Sequence, residues 1–300
     1  MSNRVLPELQ RHASKYSRGM VVVVAGSQRF PGAAVLAVGG ARRGGAGYVR
    51  LVCSEPFVRE LVLQRFPDVV VSEGLDPDAL RSATAFVVGC GTNADDTAVQ
   101  AALHHCLRTD APVVIDAGML DHLAHDPSTQ QQVQSRMAPV VITPHEGEAG
   151  RMGVDWTRTF EAPAVLGKDG DDVDFVHAPD AIARSRAAVD LAQRFGTVTV
   201  LKGAGTVVAT AQAVVSVDAI AGPELATAGT GDVLAGLLGS MLASHQATSP
   251  QAAADVAAGA VRAHAYAGAY ATARLTPVTA VDVMELLPYA LKELIEQERR

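Results

Sequence analysis

Short apolar runs, most of them β-branched, alternate with longer helical patterns along the first two-thirds of this 300-residue chain. The runs cover residues 20–25, 48–53, 85–88, 112–116, 139–143 and 197–201, and the helical patterns cover residues 33–43, 56–66, 95–107 and 182–195. Most runs are apolar at consecutive positions, as expected of strands covered on both faces. Alternation of this kind forms βαβ units. The sequence therefore predicts an α/β fold with a central, mostly parallel sheet flanked by helices on both faces.

The last third of the chain departs from this alternation. Residues 206–209 and 213–217 flank a short turn and predict a hairpin late in the sheet. A helical pattern with one apolar stripe follows, formed by Val233, Leu234, Leu237, Leu238 and Met241. Residues 252–273 are rich in small side chains, which suit either a core or a subunit interface. We find no repeat and no linker, and we expect a single domain over residues 1–300, with residues 1–19 as an N-terminal extension.

Charge and cysteine content exclude several function classes. The chain has 25 Lys and Arg against 32 Asp and Glu, a net charge of −7, so its surface repels nucleic acid and acidic membranes. Cys53, Cys90 and Cys106 form no CxxC pair, which favours buried thiols over a metal site or a disulfide. Residues 1–19 lack the apolar segment of a signal peptide. We expect a cytoplasmic protein.

The sharpest motif is Ala228-Gly-Thr-Gly-Asp232, directly before the helical pattern that begins near Val233. Its two glycines allow backbone N–H groups to point into one pocket, and the helix start adds positive potential. Such a site binds phosphate or developing negative charge, and Asp232 would stand at its edge to take a proton from a hydroxyl. A plain glycine turn, with the aspartate favouring the helix start, is the alternative.

Two further segments follow strands. Leu201-Lys-Gly-Ala-Gly-Thr206 would let a nucleotide approach the backbone, with Lys202 against a phosphate; a tight hairpin turn with an exposed lysine is the alternative. No GxxxxGK[ST] motif occurs, which excludes a P-loop protein.

Ile142-Thr-Pro-His-Glu-Gly-Glu148 places His145 at a strand end, where α/β sheets bind ligands, although an isolated loop histidine is commonly a surface residue.

Other patterns are weaker. Gly89-Cys-Gly-Thr-Asn-Ala94 matches the dinucleotide-binding pattern GxGxxA, with Asp110 or Asp116 as a later acid. Residues 167–174 resemble a calcium loop only superficially and favour a solvated acidic loop. Four histidines lack carboxylate or cysteine companions at metal-ligand spacing, and we interpret them as surface residues: His104, His105, His122 and His125. We predict no protein metal ligands.

Taken together and in order, these segments resemble the carbohydrate-kinase-like domain of the ADP- or ATP-dependent NAD(P)H-hydrate dehydratases. The matching segments span nearly the whole chain: Val24-Ala-Gly-Ser27, Pro31-Gly-Ala-Ala34, Arg43-Gly-Gly-Ala-Gly47, Val88-Gly-Cys-Gly91, Val114-Ile-Asp116, Ile142-Thr-Pro-His145, Val200-Leu-Lys-Gly-Ala-Gly-Thr206 and Ala226-Thr-Ala-Gly-Thr-Gly-Asp-Val-Leu-Ala-Gly236. The last motif is shared with ribokinase-like enzymes generally, whereas the His145 and Lys202 segments narrow the resemblance to the dehydratases.

The resemblance implies a ribokinase-like fold and a repair reaction. The S-form of hydrated NADH or NADPH (NADHX or NADPHX) would be dehydrated back to the cofactor with ADP or ATP as co-substrate, aided by Mg²⁺. It also implies a homo-oligomer, since relatives often form tetramers.

The same resemblance assigns roles to residues. Asp232 would deprotonate the ring hydroxyl, and the backbone N–H groups of Gly229, Thr230 and Gly231 would bind the transferring phosphoryl oxygens. The nucleotide site would comprise Gly231 and the loop residues Lys202, Gly203, Ala204, Gly205 and Thr206. The hydrate site would comprise Asp232, His145, Gly91 and either Ala33 or Ala34.

The chain also departs from the family pattern. Gly118 replaces an aspartate, Glu146 replaces a proline, and Ala221 stands where an asparagine is common. The epimerase domain that precedes many relatives has no room in the nineteen residues before the first strand, so we expect the dehydratase alone. Two alternatives stay open: a ribokinase-like kinase of a hydroxylated vitamin precursor such as hydroxyethylthiazole, which would use the same Asp232, and a nucleotide sensor without catalysis.

Overall fold

The computed structural model describes residues 4–156, 179–218, 220, 222–274 and 276–300. The acidic segment 167–174 and Ala221 therefore lie outside the described residues. The described strands are β1 (Met20–Val24), β2 (Tyr48–Val52), β3 (Val70–Ser72), β4 (Ala85–Val88), β5 (Val113–Ile115), β6 (Val140–Ile142), β7 (Val198–Leu201), β8 (Val207–Ala209) and β9 (Val214–Val217). The described helices are α1 (Pro31–Ala41), α2 (Pro56–Arg65), α3 (Pro77–Ser82), α4 (Thr97–Leu107), α5 (Gly118–His125), α6 (Pro127–Gln134), α7 (Glu146–Arg151), α8 (Pro179–Phe195), α9 (Thr230–His245), α10 (Pro250–Thr272) and α11 (Ala280–Gln297).

All of these strands join one sheet in the order β3-β2-β1-β4-β5-β6-β7-β8-β9. The pairs from β3 to β7 are parallel, and β8 and β9 form the predicted antiparallel hairpin. The strand order reverses between β1 and β4. In open α/β sheets, ligands bind at the carboxyl edge next to such a reversal. The mostly parallel sheet is confirmed.

Two cores cover the sheet, one on each face. The first core contains buried side chains from α1, α2, α9, α10 and α11, and the second contains buried side chains from α3 to α8. Strands buried on both faces explain the consecutive apolar residues; all five residues of β1 are buried. Among the described residues, no helix combines the length and the apolarity that a membrane crossing requires.

Helix α9 is more enclosed than its single apolar stripe predicts. It packs between the sheet and α1, α10 and α11, and most of its residues are buried, including Ser240. Close approach to α1 depends on glycines: a Cβ at Gly40 would lie 2.1 Å from the carbonyl oxygen of Val233, and one at Gly236 would lie 1.8 Å from that of Ala37. This packing fixes the start of α9 against the sheet edge.

The small residues of α10 serve the core of this chain. Twelve of its residues are buried, most of them alanines, and they pack between α9 and α11. Small side chains let the helix axes approach closely, so the alanine-rich pattern has an explanation within the subunit.

Candidate active site

The carboxyl ends of three neighbouring strands and the start of one helix bring the predicted segments together. Asp116 follows β5, His145 follows β6 and Lys202 follows β7, while Asp232 lies in the first turn of α9. The backbone N–H of Lys202 donates to the carbonyl oxygen of Pro144 over 2.8 Å, so two of the predicted segments are directly joined. A Cβ at Gly231 would lie 3.1 Å from Nζ of Lys202, which brings the start of α9 to the same place.

Asp116 lies at the centre of this cluster, although the sequence analysis considered it only as the later acid of the GxGxxA pattern. Its Oδ1 accepts hydrogen bonds from Nζ of Lys202 over 2.8 Å and from Oγ1 of Thr143 over 2.7 Å. Its Oδ2 accepts from the Cys90 thiol over 3.4 Å. Burial raises the pKa of Cys90 far above its usual value, and the nearby charge of Asp116 raises it further, so the thiol keeps its proton. The position of Asp116 after a strand was the available signal.

Lys202 points into this cluster rather than outward. Burial alone would lower its pKa, but the carboxylates of Asp116 and Glu148, the latter 3.8 Å from Nζ, hold its pKa above the usual value. The lysine is therefore a permanent cation between buried carboxylates. The alternative of a hairpin turn with an exposed lysine is wrong for this side chain, which is 16% exposed.

Asp232 has the electrostatic character of a general base. Burial and, to a smaller extent, the charge of Asp116 raise its pKa to about 7 against the opposing effect of Lys202. A carboxyl group that titrates near neutral pH is partly ionised at that pH and accepts a proton readily. One atom each of Asp232, Asp116 and Cys90 lies within 4.8 Å of the others.

The start of α9 is built to receive an anion. Gly229, its N-cap residue, adopts φ 93°, a conformation that favours glycine, and a Cβ there would lie 2.4 Å from Cδ1 of Leu36, which would have to move. The Thr230 hydroxyl donates towards the carbonyl oxygens of Leu225 and Thr227 over 2.9 and 3.0 Å and holds the preceding loop. The first N–H groups of a helix have no intrahelical acceptor, and here they lie beside Asp232.

A buried histidine that the sequence did not single out supports this helix start. Nε2 of His264, in α10, lies 3.0 Å from the carbonyl oxygen of Thr230. Burial lowers the pKa of His264 to about 4, so the neutral ring donates this hydrogen bond. No local sequence pattern marks a residue 34 positions away as a partner of the turn.

The predicted nucleotide loop exposes backbone and small side chains. Gly203 and Ala204 are exposed, Gly205 adopts φ 71°, and the Thr206 hydroxyl closes the turn onto the Gly203 carbonyl oxygen over 3.1 Å. Arg184 of α8 lies beneath the loop and donates to the carbonyl oxygens of Leu201 and Lys202 over 3.3 and 3.1 Å.

Glu146 forms an ion pair with this buried arginine. The departure at residue 146 therefore ties the His145 segment to the floor of the nucleotide loop, which the sequence alone did not indicate.

His145 combines a structural role with exposure. Its Nδ1 accepts hydrogen bonds from the backbone N–H groups of Gly147 and Glu148, while a carboxylate oxygen of Glu148 accepts from the His145 backbone N–H over 2.8 Å. This capping box starts α7 and leaves the ring 55% exposed. The exposed edge of the ring is available to a ligand.

The predicted hydrate-binding residues near β1 and β4 lie together. A Cβ at Gly91 would lie 2.3 Å from Cβ of Ala33, and the Ser27 hydroxyl donates to the Gly91 carbonyl oxygen over 2.8 Å. Ala33 is partly exposed, whereas Ala34 is fully buried against Gly26. Of the two alanines, Ala33 is the one that reaches the surface.

Two other patterns have structural explanations. Helix α4 begins at Thr97, with Asp96 as its N-cap, so it starts after the segment from Gly89 to Ala94 has ended. Dinucleotide binding requires the helix to begin within the motif. A Cβ at Gly89 would lie 2.0 Å from the Asp116 carbonyl oxygen, so this glycine serves packing between two strand ends. Cys53, Cys90 and Cys106 are buried free thiols, as predicted.

The prediction of four surface histidines is only half right. His105 and His125 are exposed, but His104 and His122 are partly buried and lie close to Asp126. The prediction that these histidines lack a carboxylate companion is also wrong, because Asp126 lies four positions after His122, at the end of α5, a helix that was not predicted.

The donor set suits Mg²⁺ that arrives with phosphate. Mg²⁺ takes oxygen ligands and is commonly held by one or two carboxylates together with substrate phosphates. Asp116 already accepts bonds from Lys202, Thr143 and Cys90, which leaves Asp232 as the partly exposed carboxylate beside the helix start. The described residues thus fit an ion carried mainly by the nucleotide.

Comparison with known proteins agrees with this geometry. The family model for NAD(P)H-hydrate dehydratase matches residues 21–289. The chain is similar to the ADP-dependent (S)-NAD(P)H-hydrate dehydratase of Bacillus subtilis, with 30% identity over 246 residues that cover 80% of this chain and 78% of that protein. The crystal structure of the ADP/ATP-dependent enzyme from B. subtilis, co-crystallised with ATP and Mg²⁺, superposes with a TM-score of 0.75 at 28% identity and covers 96% of this chain and 94% of that one.

Two more comparisons bear on chain organisation and on fold. The bifunctional NAD(P)H-hydrate repair enzyme of Mycobacterium leprae is 37% identical over 233 residues, 78% of this chain but 42% of that enzyme. The chain thus spans about two-fifths of the length of such bifunctional relatives. A hydroxyethylthiazole kinase from Pyrococcus horikoshii shares the fold alone, with a TM-score of 0.57 at 14% identity. The family match, the B. subtilis relative and the fold agree: this chain belongs to the NAD(P)H-hydrate dehydratase family.

Proposed function

We propose that this chain dehydrates the S-form of NADHX and NADPHX, with ADP or ATP as phosphoryl donor. The observation that carries the proposal is Asp232, a carboxyl group with a pKa of about 7 at the start of a helix whose first N–H groups receive anions. Base and anion site stand side by side, as phosphoryl transfer to a hydroxyl requires.

The reaction runs in two steps. Asp232 takes the proton of the ring hydroxyl as the hydroxyl oxygen attacks the terminal phosphorus of the nucleotide. The P–O bond between that phosphorus and the rest of the nucleotide breaks. The N–H groups of Gly229, Thr230 and Gly231 stabilise the charge on the transferring oxygens. The ring nitrogen's lone pair then expels phosphate from carbon, and loss of a ring proton restores the dihydropyridine. Phosphate leaves far more readily than hydroxide, which explains the use of a nucleotide.

Binding roles follow the same geometry. The exposed backbone of the loop from Lys202 to Thr206 would bind the adenine nucleotide, and Ala33, Gly91 and His145 would contact the hydrate. The packing of Gly91 against Ala33 and the exposed ring of His145 support this assignment. Bound Mg²⁺ would neutralise charge on the nucleotide phosphates, and Asp232 is the carboxylate that would help to hold it. Lys202 acts through its ion pairs with Asp116 and Glu148 rather than as an outward phosphate ligand.

The competing functions are weaker. A kinase of a vitamin precursor would share Asp232 and the helix start, but the thiazole kinase is similar in fold alone, whereas the dehydratase family matches most of the chain. A sensor without catalysis does not need a base with a raised pKa. Cytoplasmic location and tetrameric assembly stay predictions.

The test is turnover of NADHX and NADPHX with Mg²⁺, with ADP and ATP in parallel, followed by the absorbance of the dihydronicotinamide and by released phosphate. We expect both signals in equal amounts, and we expect Asp232→Asn to lower turnover by about a hundredfold or more while nucleotide binding persists. A stable phosphorylated product would favour the kinase. Absence of turnover from folded protein with either donor would overturn the proposal.

A further inference from the structure

A second cluster of potential ligands lies on the helical layer formed by α4, α5 and α6. It comprises His104 of α4, His122 of α5 and Asp126, the N-cap residue of α6. One ring nitrogen of each histidine and one carboxylate oxygen of Asp126 lie within 4.8 Å of one another. His122 and Asp126 lie four positions apart, at the end of α5 and its junction with α6, whereas His104 comes from α4, so the packing of α4 against α5 and α6 completes the cluster.

This cluster is separate from the candidate active site. Helices α4 and α5 each follow a parallel strand and return antiparallel to it, so their last turns lie towards the amino edge of the sheet. His104 and His122 occupy those last turns. Asp232 and Lys202 lie at the carboxyl edge, on the opposite side. A ligand at the histidines would therefore not share residues with the dehydratase site.

Hydrogen bonds orient His104 for coordination. Nδ1 of His104 lies 2.8 Å from Oε1 of Gln132, and Nε2 of Gln132 donates to the backbone carbonyl oxygen of His104 over 3.2 Å. The second bond fixes the amide orientation, so the amide oxygen faces the ring and Nδ1 carries the proton. Nε2 of His104 then keeps its lone pair. Metal-binding histidines are commonly held in this manner by a partner on the other nitrogen.

Thr129 holds both Asp126 and His122 by hydrogen bonds. The hydroxyl and the backbone N–H of Thr129 both donate to Oδ2 of Asp126 over 2.7 Å, so the hydroxyl oxygen, 3.1 Å from Nε2 of His122, accepts the N–H of that ring. Coordination through Nε2 of His122 would therefore replace its hydrogen bond to Thr129. Nε2 of His122 and Oδ2 of Asp126 are 4.0 Å apart. Ligand atoms around a tetrahedral Zn²⁺ lie roughly 3.3 Å apart, given bonds of about 2.0–2.1 Å. Side-chain rotations on metal binding would have to close this difference.

We propose that His104, His122 and Asp126 form a binding site for Zn²⁺ or a similar divalent transition-metal ion. Such ions prefer imidazole and carboxylate ligands, which are the ligand types of this cluster. Mg²⁺ prefers oxygen ligands, so two imidazoles disfavour it. Three protein ligands leave a fourth position for water. The ion joins α4, α5 and the start of α6 and stabilises the folded chain, because the unfolded chain holds no such arrangement.

The test uses the full chain without a histidine tag. Calorimetric titration with Zn²⁺ alone should give one site per chain, Co²⁺ alone should give the visible absorption of a tetrahedral or five-coordinate complex, and Zn²⁺ should raise the unfolding temperature. His122→Gln and Asp126→Asn should each weaken binding at least tenfold. Asparagine is a good N-cap, so Asp126→Asn preserves the start of α6. The matched controls replace the exposed neighbouring histidines: His105→Gln and His125→Gln should bind Zn²⁺ as tightly as the wild type does.

The rival site is the cluster of Cys90, Asp116 and Asp232. If Asp232→Asn abolishes Zn²⁺ binding and His122→Gln does not, the proposal is overturned. It is also overturned by the absence of saturable binding at one ion per chain, or by equal losses in the two control variants. Loss confined to His122→Gln and Asp126→Asn supports it, and none of these outcomes depends on dehydratase activity.

Discussion

Nζ of Lys202 lies 2.8 Å from Oδ1 of Asp116, across 86 positions of sequence. This ion pair joins the predicted nucleotide loop to the end of β5, and Asp232 lies close enough that both charges act on its pKa. Breaking a buried pair leaves an uncompensated charge, which is costly. The pair therefore sets both the shape of the site and the proton affinity of its base.

Replacement of Lys202 by methionine should shift the pH dependence of turnover. Lys202 lowers the pKa of Asp232, so its loss raises that pKa and the acidic limb of the kcat profile moves upward from about pH 7. A rise of about one unit would lower turnover at pH 7 roughly fivefold. The measurement is kcat between pH 5.5 and pH 9.

Two variants control for that result. Lys202→Arg keeps the cation and should keep the limb near its wild-type position, whereas Lys292→Met removes an exposed lysine far from the base and should change nothing. A limb that stays in place in folded Lys202→Met protein would show that this lysine does not tune Asp232.

Asp232→Asn should make the protein more stable at alkaline pH. Because burial raises the pKa of Asp232 from 3.8 to about 7, the native state binds a proton that the unfolded state has lost, and stability falls as pH rises through that interval. Asparagine removes this penalty, so the variant's advantage should grow from about pH 4 to pH 7 and reach roughly 1–4 kcal/mol above it. Urea unfolding at pH 4, 6 and 8 measures it. An advantage that does not change with pH would contradict the raised pKa.

The sequence predicted most of the sheet because its buried strands carry a strong local signal. The strands from β1 to β7 match predicted runs to within one or two residues, except for β3. That strand, Val70–Ser72, has three residues at the edge of the sheet, and Val70 is exposed. Helices α3 and α7, of six residues each, were also missed, because they are too short to show helical periodicity.

The part of the site that lies in one continuous motif was predictable from the sequence. The side-chain contacts between segments that are distant in sequence were not. Gly229 and Asp232 stand in one motif, so their proximity follows from chain connectivity. Asp116 and Lys202 meet only because β5, β6 and β7 are neighbours in the sheet. Strand order is a tertiary property that local patterns do not encode, so the inward direction of Lys202 and the support that Arg184 gives could not be inferred.

Gly118 should not accept the aspartate that is usual in the family. A Cβ at this position would lie 2.3 Å from the carbonyl oxygen of Thr92, so even Gly118→Ala requires the backbone to move. We expect Gly118→Ala to lower the free energy of unfolding by about 1–3 kcal/mol, and Gly118→Asp by at least as much. Gly32, in α1, is the control because a Cβ there meets no atom within 4 Å. Gly32→Ala should be neutral or stabilising by up to about 1 kcal/mol. Equal denaturation midpoints for Gly118→Ala and wild type would refute the steric argument.

Arg184 should affect nucleotide binding more than chemistry. It donates to the carbonyl oxygens of Leu201 and Lys202, and a Cβ at Gly203 would lie 2.7 Å from its Nη2. Replacement by methionine keeps much of the side chain's volume and removes these bonds, so the loop loses its fixed position. We expect the KM for ADP or ATP to rise about tenfold or more, with kcat changed less than about threefold.

Removing Glu146, the ion-pair partner of Arg184, should raise the KM for nucleotide less than removing Arg184 does. Glu146 is 61% exposed, so Glu146→Gln removes a partly screened charge while Arg184 keeps its bonds to the loop, and the KM for nucleotide should rise only slightly. Arg186→Met, which removes a more exposed arginine two positions along the same helix, is the matched control and should leave the KM unchanged. A fall in kcat with unchanged KM in Arg184→Met would instead assign this arginine to the chemical step, because only an interaction made in the transition state acts on kcat alone.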